Sequence, residues 1–222
     1  MRHRKKPWAA GELVENPLLV TEPEKMVGRW RNLFGEKPVY VEIGCGKGGF
    51  SIETAEKSQV GYVALEREKN IIAWPLRVAR EKNIQNIRFI NADAEILTGI
   101  FAENEVDRIY LNFCDPWPNR KKWEKRRLTH HTFLEKYQQI LSHNGEIFFK
   151  TDNLPLFEFT ISEMRGCGFN LKNISFDLHK SNFADNIMTE YEKKYSALNK
   201  PIYRLEADIP LVGTASDCSG KF

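Results

Sequence analysis

Val39–Phe50 reads VYVEIGCGKGGF. Apolar residues recur at Val39, Val41 and Ile43, the period of a strand. Glycines follow at Gly44, Gly46, Gly48 and Gly49, and the chain then enters FSIETAEK, which has the spacing of a helix. A strand that stops at a glycine turn before a helix is the usual entrance to a nucleotide-type pocket in an open α/β sheet. Glycine is needed there because the backbone must take positive φ and let a ligand come close.

Outward from this stretch, strand-like and helix-like segments alternate. Strands are expected at Val39–Ile43, Gly61–Glu66, Asn86–Asn91, Asp107–Phe113, Glu146–Thr151, Leu171–Asp177 and Ile202–Ala207. Helices are expected at Phe50–Lys57, Glu68–Lys82, Thr132–Leu141 and Leu154–Cys167, with a short one at Ala94–Phe101 and another upstream at Glu24–Phe34. Cys114–Leu128 reads as a loop, and Asn144–Gly145 as a turn. The alternation predicts a Rossmann-like α/β fold: a seven-stranded, mostly parallel sheet with helices on both faces. Residues 1–23 read as a basic arm, 24–210 as a single domain and 211–222 as a flexible tail.

The bulk composition narrows the class. A chain of 222 residues, 41% hydrophobic and 28% charged, suits one soluble domain. No apolar run is long enough to span a bilayer, and the basic start MRHRKKPWAAGE lacks the apolar stretch of a signal peptide. A cytoplasmic protein without a membrane partner is expected. Cys45, Cys114, Cys167 and Cys218 are scattered, so neither a disulfide framework nor a metal site is indicated. The net charge is only +3, but the basic residues cluster. Arg2, Arg4, Lys5 and Lys6 form one group. Arg120–Arg127, RKKWEKRR, forms another, with six basic residues in eight around an aromatic. Such a run beside a pocket points to RNA phosphate contact through Lys121, Lys122, Lys125, Arg126 and Arg127.

Gly44, Gly46 and Gly49 satisfy G-x-G-x-x-G, and Glu66 follows at the end of the second strand, where a ribose-binding acid belongs. That much serves NAD as well as S-adenosyl-L-methionine. Three more acids favour the latter. Glu42 precedes the first glycine and would repel a pyrophosphate, yet it suits an ammonium or sulfonium. Asp93, in NADA, is placed to accept from an adenine amino group, with Ala94 beside it. Asp115, in NFCDPWP, adds a carboxylate after the fourth strand. Ligands in such sheets bind at the carboxyl ends of strands, so four acids there make a cation-tolerant pocket. The phosphate-loop pattern fails because Lys47 is followed by Gly48.

The segments RHRKKPWA, VEIGCGKGGF, ALE at Ala64–Glu66, NADA, NFCDPWP, KRRLT at Lys125–Thr129, FKTDN at Phe149–Asn153 and MTEYEKKYS at Met188–Ser196 occur in order along nearly the whole chain. In these the sequence resembles the bacterial tRNA (guanine-N7-)-methyltransferases of the TrmB type. The resemblance implies a class I methyltransferase fold, S-adenosyl-L-methionine as methyl donor, and tRNA as partner. The expected target is N7 of a guanosine in the tRNA variable loop, position 46. It further implies that Glu42, Gly44, Gly46, Glu66, Asp93, Ala94 and Asp115 line the donor pocket, with Asp115 catalytic. Asp152, Thr189, Glu190, Tyr191 and Glu192 would face the target nucleoside. The family has Lys directly after DPWP. Asn119 stands there in this chain, so either Arg120 takes the lysine's part or the part is missing.

Guanine N7 carries a free lone pair, so no base need deprotonate it, and catalysis should come from positioning and electrostatics. Read from the residues alone, three alternatives stay open. They are a methyltransferase with another acceptor, an RNA-binding protein without turnover, and, last, an NAD oxidoreductase. Monomer and homodimer also stay open.

Overall fold

The computed structural model describes residues 8–118, 120–181, 183–184 and 186–210. The basic cluster at Arg2–Lys6, Asn119, and the tail 211–222 lie outside the described residues.

Helix α1 spans Ala9–Glu15 and α2 spans Trp30–Leu33, with a 3-10 turn at Pro23–Met26 between them. Strand β1 (Val39–Ile43), α3 (Gly49–Lys57), β2 (Gly61–Leu65), α4 (Lys69–Glu81) and β3 (Ile87–Ile90) follow. A 3-10 segment at Ala94–Gly99 leads to β4 (Val106–Asn112). Next come α5 (Lys121–Glu124), α6 (His131–Ile140), β5 (Leu141–Thr151), α7 (Leu154–Gly166), β6 (Asn170–Ser175), α8 (Glu190–Ser196) and β7 (Tyr203–Asp208).

The strands form one seven-stranded sheet in the order β3-β2-β1-β4-β5-β7-β6. Pairings among β1 to β5 are parallel, and β7 runs antiparallel to both β5 and β6. The expected fold class therefore holds, and strand order reverses between β1 and β4, where open sheets place their ligand crevice. Alternate residues supply two cores. Val41, Ile43, Leu65, Ile109, Leu111 and Phe149 pack beneath Phe133, Tyr137 and Phe157 of α6 and α7. Tyr62, Ala64, Phe89 and Tyr110 pack against Phe50, Ile52, Ile72 and Leu76 of α3 and α4. Burial on both faces is what an all-parallel region requires.

Four local differences from the sequence reading have physical causes. Strand β5 starts at Leu141 rather than Glu146, because Leu141 already pairs with Val106 of β4 ahead of a register shift, so the expected turn at Asn144–Gly145 falls inside the strand. The helix expected over Glu24–Phe34 is broken, because Gly28 takes φ 71° and the N–H groups of Gly28 and Trp30 donate to the Glu105 carboxylate at 3.0 and 2.8 Å. The loop Cys114–Leu128 contains the short helix α5. Residues 8–23, grouped by composition with the basic arm, pack on the domain. Buried Glu12 accepts from Arg80 at 2.7 Å and Arg77 at 3.1 Å on α4, and Leu19 bridges Phe89 of β3.

Candidate active site

A cavity of about 680 Å³ opens at the carboxyl ends of β1, β2, β3 and β4. Ile43 and Gly44 line it after β1, Glu66 to Glu68 after β2, Asp93 to Glu95 after β3, and Phe113 to Asp115 with Trp117 after β4. Its size falls in the usual range for small-molecule sites.

The glycine turn is held by the sheet itself. Gly44 and Gly46 take φ 79° and 57°, and a side chain at either would point into open space while straining the backbone. Gly44 and Cys45 N–H groups both donate to the Leu65 carbonyl at 2.9 Å. Glu66 accepts from Gly46 N–H at 3.1 Å through one oxygen and from Glu68 N–H at 2.9 Å through the other. It therefore fixes the turn while lining the cavity, and a carboxylate so held still has lone pairs free for a hydroxyl.

Asp93 lines the cavity and also caps the 3-10 segment, accepting from Glu95 N–H at 3.1 Å. Asp115 is largely exposed at the rim. Between the two lies Arg67, which the sequence reading did not single out: its guanidinium is 3.8 Å from Asp93 and 3.9 Å from Asp115. Two bulky residues near Asp115, Phe113 at φ 50° and Trp117 at φ 47°, hold left-handed backbone, which is strained for such side chains.

Glu42 occupies a different place from the one expected. It is 2% exposed, outside the cavity lining. Its carboxylate accepts from the Ser51 hydroxyl and from Asn112 Nδ2 at 2.9 Å. Desolvation raises its pKa, against the lowering effect of the Ser51 and Asn112 hydrogen bonds. Through these bonds it ties β1 to α3 and β4.

The segment expected to face the nucleoside divides likewise. Thr189 caps α8, accepting from Glu192 N–H at 2.9 Å. Glu192 does not return the bond as a capping box would. Fully buried, it pairs with Lys150 at 2.8 Å and accepts from Asn186 at 2.6 Å. The outer carboxylate is Glu190, which accepts from Gly49 N–H at 3.1 Å and so docks α8 on the glycine turn. Tyr191 is partly exposed, with its ring 4.3 Å from Tyr195 and 5.1 Å from Phe113. Burial first, then the Tyr195 hydroxyl and the Asp152 carboxylate, raises the Tyr191 hydroxyl above the ordinary tyrosine range. Tyr191 thus packs beside Phe113 of the cavity wall, close enough to Asp152 to feel its charge.

In the basic loop, Arg120, Lys121, Lys122, Lys125 and Arg126 are exposed. The Trp117 and Trp123 rings stack at 5.6 Å, with the Arg126 guanidinium 4.9 and 4.6 Å from them. Arg127 departs from the expectation of RNA contact. It is 3% exposed, donates to the Pro116 carbonyl at 2.9 Å and lies over Phe159 at 4.4 Å, so it fastens the loop to the core. Among the described residues no helix is long and apolar enough to cross a membrane.

A family model described as "Putative methyltransferase" matches residues 36–205. Proteins named tRNA (guanine-N(7)-)-methyltransferase are similar along almost the whole chain. The one from Bacillus licheniformis is 44% identical, covering 94% of this chain and 99% of its own. That of Bacillus subtilis strain 168 is 43% identical over 94% and 99%, and that of Geobacillus kaustophilus 45% over 95% and 98%. Among solved structures, an antibiotic-related methyltransferase superposes with TM-score 0.60 at 17% identity, covering 81% of this chain and 92% of its own. A 30S ribosomal A1408 methyltransferase superposes with TM-score 0.55 at 15% identity over 81% and 91%. These two likenesses are of fold.

Proposed function

Because the chain belongs to the tRNA (guanine-N7-)-methyltransferase family, we infer from it both the reaction and the division of work among the cavity residues. The protein is an enzyme that transfers the methyl group of S-adenosyl-L-methionine to N7 of guanine in tRNA. The finer target is the guanosine at position 46 in the variable loop, and the reaction takes place in the cytoplasm.

The residues present fit the donor. Ile43, Leu65 and Ala94 offer apolar wall, the Gly44–Gly46 turn leaves open space for close approach, and Glu66, Asp93 and Asp115 supply carboxylates. This set suits a ribose, an adenine amino group and a sulfonium. Bound there, S-adenosyl-L-methionine supplies an electrophilic methyl group on positively charged sulfur.

The chain's own part is positioning and charge. Glu66 and Asp93 hold the donor's nucleoside end. Asp115, on its strained rim, accepts from the guanine edge and stabilises positive charge as it develops on the purine. Asp152 and Tyr191 bound the place where the base lies, and that base must leave its stack to bring N7 into line. Thr189 and Glu192 act through α8: one caps it, the other anchors it, and Glu190 ties it to the glycine turn. Lys121, Lys122, Lys125 and Arg126 hold the RNA backbone, with Arg120 in the part of the family lysine.

The convergence of Glu66, Asp93 and Asp115 on one cavity beside an exposed basic loop carries this reading. The test is incubation of the protein with labelled methyl donor and unmodified tRNA, followed by nucleoside analysis and mapping. Label should appear as 7-methylguanosine at position 46. Label in another nucleoside or at another position overturns the assignment.

A further inference from the structure

Arg67 stands directly after the ribose-side acid Glu66 and lines the cavity. Its Nη1 is 3.8 Å from Asp93, which follows β3, and its Nη2 is 3.9 Å from Asp115, which follows β4. One guanidinium thus spans two strand ends across the mouth. Among the described residues, no other cation lies within ion-pair distance of either acid. The lining holds five carboxylates, Glu66, Glu68, Asp93, Glu95 and Asp115, against three bases, Arg67, Lys125 and Arg126. Glu95 is already paired with Lys136, and Arg126 is stacked on Trp117 and Trp123. Lys125 and Arg126 lie on the exposed basic loop and pair with neither Asp93 nor Asp115, so Arg67 is the lining base that directly faces these two acids.

We propose that Arg67 sets how strongly the cavity prefers the cationic methyl donor over the neutral thioether left after transfer. This rests on the reading of the cavity as the donor site. The two molecules differ by one methyl group and one positive charge. Packing against the Arg67 side chain, and the action of its charge on the amino-acid end, are common to both, so the two differ only in its action on the sulfonium. A fixed cation beside Asp93 and Asp115 offsets part of their attraction for a positive ligand, so it lowers donor affinity relative to thioether affinity. At separations of about 5–10 Å in a partly solvated mouth, such a charge alters the preference by roughly threefold to tenfold.

The experiment is calorimetric titration of S-adenosyl-L-methionine and S-adenosyl-L-homocysteine into the wild type, Arg67→Met and Arg67→Lys at low and high salt. Arg67→Met should raise the ratio of donor to thioether affinity about threefold to tenfold, with the gain shrinking at high salt, while Arg67→Lys stays within about twofold of wild type. An unchanged ratio in Arg67→Met overturns the proposal, even if both affinities move together, since that is loss of interactions the two molecules share. A wild type that binds neither molecule removes the donor reading itself, a result distinct from an unchanged ratio.

Discussion

The Lys150 ammonium stands 2.8 Å from the Glu192 carboxylate, where Glu192 is 0% and Lys150 5% exposed. Lys150 also donates to Asn186 at 3.1 Å and to the Ile187 carbonyl at 3.0 Å, so β5 grips the segment leading into α8. Desolvation lowers the Lys150 pKa, with Glu192 acting in the opposite sense. Removing one partner leaves the other charge stranded. Glu192→Ala should cost about 3–5 kcal/mol, and the double variant Lys150→Met/Glu192→Leu should recover most of it. Urea unfolding of the single and double variants checks this, and equal losses in both would show that the pair is not what holds α8.

Glu42 carries the second prediction. Its folded-state pKa is raised by desolvation above the ordinary glutamate value of 4.5. The folded protein then holds the proton more tightly than the unfolded chain. Stability contributed by this group is full below the ordinary value and falls as pH rises through the raised one. Glu42→Gln keeps the shape and can still accept from Asn112. The variant should be at least as stable as wild type at pH 8 and show a flatter profile between pH 4.5 and 8, read by thermal unfolding across that range.

The basic loop should separate into residues that touch RNA and one that does not. Replacing exposed Lys121, Lys122 and Lys125 with alanine should weaken tRNA binding and reduce the slope of log affinity against log salt by about 0.7–0.9 per lost phosphate contact. Arg127→Met should instead lower the melting temperature, through loss of the Pro116 hydrogen bond and the Phe159 contact, and leave that slope unchanged in the folded fraction. Filter binding over a salt series distinguishes the two.

Asp115→Asn retains size but loses charge. Turnover should drop by about 10²–10³ while donor affinity stays within a few fold. Single-turnover methylation with calorimetry on the same sample gives both quantities. Turnover near the wild-type rate would move the charge-stabilising role to Asp152.

Cys114 lines the cavity, but desolvation first, then the Glu42 and Asp115 charges, pushes its thiol up to about 12. At pH 8 its thiolate fraction is smaller than that of a free cysteine by about three orders of magnitude. Iodoacetamide should therefore modify Cys114 far more slowly than a model thiol, as peptide mass spectrometry can measure, and Cys114→Ser should keep its activity.

Six of the seven strands were legible to within a residue or two, helped in β1 and β2 by the dense apolar signal of parallel strands buried on both faces, but the start of β5 at Leu141 was not. The break at Gly28 was less legible. Trp30 and Phe34 keep a helical spacing, and only the distant Glu105 reveals where the backbone turns. At the site, position along a strand could be read, but facing could not. Glu42 and Glu66 both lie near the end of a strand-like run, yet one carboxylate is sealed on a sheet face by Ser51 and Asn112 while the other lines the cavity. Arg127 and Glu192 look like solvent-facing charges in sequence because their partners, Pro116, Phe159 and Lys150, lie 11, 32 and 42 residues away. Arg67 left no trace, since its meaning depends on two acids contributed by other strands.

The hydrogen bond from Gly49 to Glu190 joins the turn proposed to cradle the donor to the helix proposed to border the nucleoside. If donor occupancy tightens tRNA binding by some factor, tRNA must tighten donor binding by the same factor. The enzyme would then sense whether its second substrate has arrived through a single backbone amide, and would hold an unmethylated pair longer than either substrate alone.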